Sequence, residues 1–188
     1  MKTTGEGSFP STGLAISGLF AALLCVGAYI AFPLAFSPVP IALGNFFAVL
    51  GGLLLGPWWG AASPIIYIAI GALGFPVFSG GRGGIAHLIG PTGGYLAGYV
   101  LGAFLAGWVG KRRSVLATAA GAFLGFSAIL ALGFLGLKLT SGSDWPKAMA
   151  LGILPFIPGD AIKAVLAAFL ALRLGPFVDS LRSRSSGA

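Results

Sequence analysis

Apolar side chains run almost unbroken through six stretches of the chain, residues 14–32, 41–55, 59–73, 93–110, 114–137 and 159–178. A hydrocarbon core of roughly 30 Å takes about 20 helical residues to cross. The pattern therefore predicts an all-α membrane protein with six transmembrane helices, the second and third of them short. The punctuation agrees with these limits. Pro33, Pro38 and Pro40 follow the first stretch and Gly56-Pro57 separates the second from the third, and proline cannot continue a helical hydrogen-bond ladder. Trp58, Trp59, Trp108 and Trp145 all fall at or near predicted helix ends, where a membrane-interface belt would hold them.

Composition removes the soluble alternative. Of 188 residues, 57% are hydrophobic and 8% charged, against about a quarter charged in soluble domains. The 32 glycines are expected to let helix backbones approach closely. No internal repeat is evident, so the prediction is one domain, residues 1–188. Residues 1–13 would be a retained cytoplasmic segment rather than a cleaved signal, and 179–188 a cytoplasmic tail.

Charge then orients the bundle. The side that holds both termini collects Lys2, Lys111, Arg112, Arg113, Arg173, Arg182 and Arg184. The opposite side has Arg82, Lys138 and Lys147, and Lys163 lies near the outer end of the last stretch. The positive-inside rule makes the termini cytoplasmic, in a multi-pass protein of a prokaryotic plasma membrane. The net charge of +7 is thus a topology signal in contact with the lipid bilayer, and nucleic acid is not an expected partner.

Catalysis lacks parts. One cysteine and one histidine make neither a disulfide nor a metal cluster, no nucleotide-binding or hydrolase motif occurs, and no cofactor is implied. A channel would want a ring of polar groups or a selectivity loop, whereas the polar residues here gather at one face. What remains is a binder.

Two constellations carry candidate chemistry. The first is the glycine-rich outer loop Pro76-Val77-Phe78-Ser79-Gly80-Gly81-Arg82-Gly83-Gly84, closing with Pro91-Thr92-Gly93-Gly94-Tyr95. Its backbone is able to wrap a small molecule. Phe78, Arg82 and Tyr95 add aromatic walls and a cation, with Gly83 and Gly84 in the cradle, which suits a part-apolar, part-anionic ligand. The bland reading is a flexible connection. The second is Pro158-Gly159-Asp160-Ala161-Ile162-Lys163. Asp160 and Lys163, three apart, share a helix face, and an ionisable group at membrane depth costs roughly 2.5–3.5 kcal/mol on insertion scales. Either they form an internal ion pair, or Lys163 meets a ligand carboxylate while Asp160 accepts N–H donors. Asn45 is a further polar candidate. His87 receives no role. In the first stretch, Ser17, Ala21 and Cys25 form one small-residue ridge and Gly18 with Ala22 the next, suited to a close helix contact inside the bundle or with another subunit.

These residues resemble the BioY family, the biotin-binding S components of energy-coupling-factor (ECF) transporters. The resemblance covers nearly the whole chain and lies in Phe36-Ser37-Pro38-Val39-Pro40-Ile41, Gly52-Leu53-Leu54-Leu55-Gly56-Pro57, the loops at 76–84 and 91–95, and Pro158-Gly159-Asp160 with Lys163. It implies a six-helix S-component bundle that holds biotin near the outer face, with Asp160 and Lys163 in the site. It also implies a transmembrane scaffold subunit and ATPase subunits as partners, docked through the Ser17, Ala21, Cys25 ridge. Two positions depart from the family pattern: Gly44 stands where glutamine is common, and Cys25 where alanine is common. The alternatives are another small vitamin as ligand, or a solitary passive carrier or channel.

Overall fold

The computed structural model describes residues 11–186; the expected placement of the first ten residues, Lys2 among them, and of 187–188 lies outside the described residues. Eight helices follow one another: α1 (Ser11–Tyr29), α2 (Gly44–Leu55), α3 (Pro57–Ala72), α4 (Ile85–Ile89), α5 (Gly93–Gly110), α6 (Val115–Ser141), α7 (Trp145–Gly152) and α8 (Ile157–Ser186). A two-residue hairpin, β1 (Ala31–Phe32) against β2 (Ile41–Ala42), closes the proline-rich connection between α1 and α2.

Four helices, α1, α5, α6 and α8, have the length and apolar composition to cross a bilayer. The other two predicted spans are shorter. α2 has 12 residues and α3 has 16, about 18 and 24 Å at 1.5 Å per residue. Their shortness has a local cause, since the break at Gly56-Pro57 ends one helix and Pro57 begins the next at a position where its missing N–H costs nothing. α2 packs against α1, α3, α5, α6 and α8, and every residue but Phe47 is buried. A helix apolar all round belongs at a bundle centre.

The last two long helices outrun the predicted stretches. α6 continues to Ser141 and α8 to Ser186, so most of the expected tail is helical. α4 and α7 were not anticipated, being too short for a periodic signal. α7 begins on Asp144, whose side chain accepts from the Lys147 amide at 3.3 Å, with Pro146 in the first turn.

Glycine sets the packing distances. α5 carries Gly94, Gly98, Gly102, Ala106 and Gly110 at every fourth position, the first four turned to α6 and Gly110 to Leu53 of α2. A Cβ on Gly98 would stand 2.9 Å from the Ile129 Cα, and one on Gly102 2.6 Å from the Gly125 carbonyl oxygen. With no hydrophobic drive between helices in lipid, such backbone-to-backbone contact supplies the association. At the end of the bundle opposite the N-termini of α2 and α8, Arg113 ties three elements together. It donates to the Leu54 carbonyl of α2 at 3.1 Å and to Asp179 of α8 at 2.8 Å.

Candidate ligand-binding site

The N-terminal ends of α2 and α8 bring Asn45, Asp160 and Lys163 into one buried cluster. Asp160 lies in the first turn of α8, where the helix dipole favours a carboxylate. Its Oδ1 accepts from Lys163 Nζ and from Asn45 Nδ2, each at 2.9 Å. Lys163 Nζ also donates to Asn45 Oδ1 at 2.9 Å and to the Ala42 carbonyl at 3.2 Å. The three residues are 3%, 7% and 9% exposed for Asp160, Asn45 and Lys163. An ammonium has three donors, and all three are committed here. Lys163 is therefore not free to meet a ligand carboxylate as expected unless it surrenders one of these bonds. Asp160 Oδ2 is the reverse case, buried and without a partner among the described residues.

That oxygen's residue lines a small cavity together with Asn45, Phe78, Tyr95, Tyr99 and Phe156, among others. The cavity measures about 40 Å³, room for a few water molecules and far below the roughly 300–1,000 Å³ of small-molecule sites. Its walls are aromatic and fixed. The Phe78 ring, 1% exposed, nests on Gly71 of α3, where a Cβ would come 2.1 Å from its Cζ. It meets Tyr67 edge-on at 5.4 Å and stacks on His87 at 5.0 Å. Tyr95 nests on Gly133 of α6 and spends its hydroxyl on the Gly152 carbonyl at 2.6 Å, so it contributes a wall rather than a donor to ligand. The departure at Gly44 also has a structural counterpart. A Cβ there would lie 3.3 Å from the Tyr99 hydroxyl, so glycine leaves Tyr99 room beside Asn45.

A second hollow of about 410 Å³ lies outward of the first. The two share Pro40, Ser79, His87 and Thr92 as lining, which makes these residues the partition between them. His87 Nε2 and the Thr92 hydroxyl are 2.9 Å apart, and the Phe78 ring backs the imidazole. Burial, with the charge of Arg82 second, holds the His87 imidazole below its usual pKa, so the neutral form is favoured. Arg82 lines this outer hollow and not the inner cavity. Gly83 lines a neighbouring depression with Arg82. There a Cβ would collide with the Phe75 carbonyl at 2.2 Å, and Gly84 holds φ +92° while its amide donates to the Gly71 carbonyl. These two glycines shape the loop and do not reach the Asp160 cluster.

Of the predicted site residues, then, Asn45, Asp160 and Lys163 come together, Phe78 and Tyr95 wall the same cavity, and Arg82, Gly83 and Gly84 stand outside it. Sequence reasoning missed Tyr67, Tyr99 and Phe156 as lining, gave His87 no role, and took Thr92 only as part of the closing loop segment. Tyr99, one helical turn beyond Tyr95, had a usable signal, a second tyrosine on the same face of a glycine-lined helix. The ridge of Ser17, Ala21 and Cys25 turns inward. Ser17 is fully buried and donates to the Trp59 carbonyl of α3 at 2.8 Å, and Ala21 is 2% exposed. The ridge left facing outward is the neighbouring one, with open space beside Gly18 and Ala22 exposed.

A helical membrane bundle with a buried polar cluster beneath one face, and a loop-roofed hollow above it, defines a membrane protein that captures a small molecule from one side. Comparison with known proteins narrows that class. The BioY family model matches residues 1–180, and the chain belongs to the BioY family. It is 42% identical over 159 residues to a biotin transporter BioY of Thermotoga maritima, covering 84% of this chain and 92% of that protein. It is also 42% identical over 161 residues to a probable biotin transporter BioY of Pyrococcus horikoshii, covering 86% and 94%. The fold is similar to the crystal structure of the S-component for biotin from an ECF-type ABC transporter. The TM-score is 0.82 at 28% identity, covering 91% of this chain and 94% of that one.

Proposed function

We propose that this chain binds biotin from the outer face of a prokaryotic plasma membrane and delivers it inward as the substrate-binding subunit of an ECF-type transporter. The observation that carries the reading is Asp160 Oδ2. A buried carboxylate oxygen without a partner leaves a desolvation cost of about 1–3 kcal/mol unrelieved, and a ligand N–H relieves it. Biotin's ureido ring supplies N–H donors, a carbonyl acceptor and a fused apolar thioether ring. In this arrangement Asp160 takes a ureido N–H, Asn45 flanks it, and Lys163 acts behind them, orienting the carboxylate through its 2.9 Å contact with Oδ1. Phe78 and Tyr95 contact the fused ring, and the loop carrying Arg82, Gly83 and Gly84 closes over the site.

Six crossings follow if α2 and α3, each shorter than a bilayer and separated by the turn at Gly56-Pro57, each cross in addition to the four long helices. With six, both termini lie on the cytoplasmic side, where Lys111, Arg112, Arg113 and Arg173 collect. The outward ridge of Gly18 and Ala22 is the surface suited to a transmembrane scaffold subunit, with ATPase subunits supplying the energy. The role is transport, without catalysis. Calorimetric titration of biotin into the detergent-purified chain tests the reading. Tight binding near one biotin per chain supports it, and no binding by folded, ligand-free protein removes biotin.

A further inference from the structure

We infer that the outer hollow is a second ligand site, occupied first, which recruits the carboxylate of the incoming ligand through Arg82 before the ligand passes the His87–Thr92 partition. The inference rests on the biotin reading and adds an order of events to it.

The argument starts from charge. The inner cluster pairs one cation with one anion, and Lys163 has no donor left. A carboxylate arriving there finds no uncommitted positive group and meets Asp160 besides. Arg82 is exposed, lines the outer hollow, and has no ion pair or side-chain hydrogen bond among the described residues. Among the described residues it is the one Lys or Arg lining that hollow. Its position is held by a tight turn. The Phe78 amide donates to the Arg82 carbonyl at 2.8 Å and the Arg82 amide to the Phe78 carbonyl at 3.2 Å, while Gly80 and Gly81 take φ of +78° and +68°. The cation is thus presented on the same turn that plants Phe78 in the inner wall.

Volume gives the order. About 410 Å³ admits a small molecule as it stands, whereas about 40 Å³ does not. The outer hollow is therefore able to take ligand before the inner one enlarges. The shared lining points to the His87–Thr92 contact as the place of enlargement, where the Thr92 hydroxyl lies 2.9 Å from His87 Nε2 and donates to the His87 carbonyl at 3.5 Å, so that a short helix is held to the start of α5 by one side chain. Tyr29 of α1 donates to the Pro76 carbonyl, which ties the start of the glycine-rich loop to α1.

The test uses surface plasmon resonance on the full chain in detergent, with biotin and biotin methyl ester as ligands. For biotin, Arg82→Gln is expected to lower the association rate about tenfold at low salt, the scale of electrostatic steering. The dissociation rate should stay within about twofold, and the gap should close in roughly 0.5 M salt, where an exposed charge is screened. Arg82→Lys should restore most of the rate. The uncharged ester should associate with wild type at the slow rate and be indifferent to Arg82→Gln. Equal association of acid and ester with wild type overturns the outer site, as does a biotin rate unaffected by Arg82→Gln, or a loss confined to dissociation. Wild-type protein that binds neither ligand sinks the biotin reading itself, a distinct failure.

Discussion

Asp160→Asn probes the buried cluster most directly. The substitution keeps the shape of the side chain and removes its charge. Oδ1 takes 2.9 Å bonds from both Asn45 and Lys163, so the amide oxygen settles there and the amide NH2 takes the place of Oδ2. A ligand N–H then faces a donor. Hydrogen bonds to charged groups contribute about 1.5–3 kcal/mol net, so the Kd for biotin should rise about 10- to 150-fold. Stability falls as well, because Lys163 is left buried without its counter-charge, and breaking a buried pair from one side costs about 3–5 kcal/mol. The companion variant Asp160→Asn with Lys163→Met removes both charges. It should regain most of the stability, since replacing a buried pair by apolar volume is often neutral, while affinity stays low. Calorimetric titration and thermal unfolding in detergent read the two effects separately. Asp160→Asn binding biotin within about twofold of wild type refutes the assignment of Oδ2. A double variant that recovers affinity along with stability refutes it too, by showing that the loss was one of folding.

The small-residue contacts make opposite predictions for two glycines. Gly98→Val should abolish accumulation of folded protein, because even a Cβ there stands 2.9 Å from the Ile129 backbone, whereas Gly18→Val, with nothing within 4 Å, should leave the unfolding temperature and biotin binding unchanged and weaken only association with a scaffold subunit. At the opposite end of the bundle, Asp179→Asn should cost under about 1 kcal/mol, as exposed pairs do. Arg113→Met should cost measurably more by thermal unfolding, since it also strips the Leu54 carbonyl of its donor. His87 sets a pH dependence whose sign follows from its lowered pKa. The unfolded chain takes up the proton more readily, so stability is unaffected above about pH 6.5 and declines as pH falls below it. His87→Gln should flatten that decline in unfolding scans between about pH 5 and 8.

Much of the architecture was legible because its causes are local. Continuous apolar runs have no alternative to burial in lipid, and proline and glycine end helices wherever they stand, so the break at Gly56-Pro57 and the starts of α5 and α6 were readable in one dimension. Helix ends were read less well. α6 and α8 extend past the last apolar positions because a helix that is already packed propagates into polar residues at little cost. The same locality made Asp160 and Lys163 legible as a pair, since three residues of helix place them on one face whatever the fold.

What only the tertiary structure decided is everything that depends on which helix lies beside which. Asn45 reaches Asp160 across 115 residues of chain, and nothing in either segment encodes that meeting. It follows from α2 sitting at the bundle centre with its N-terminus against α8. That meeting changes the chemistry, for it saturates Lys163 and leaves Asp160 Oδ2 as the open acceptor. Likewise, α1 carries two adjacent small-residue ridges, and the sequence treats them alike. The fold sends the Ser17 ridge inward, where a hydroxyl finds the Trp59 carbonyl, and leaves the Gly18 ridge to the membrane. Sequence determined the solvent this protein lives in, the long apolar helices suited to cross it and the residues with something to offer a ligand. Packing determined which of those offers remain unclaimed, because hydrogen-bond capacity is used up by neighbours that only three dimensions supply.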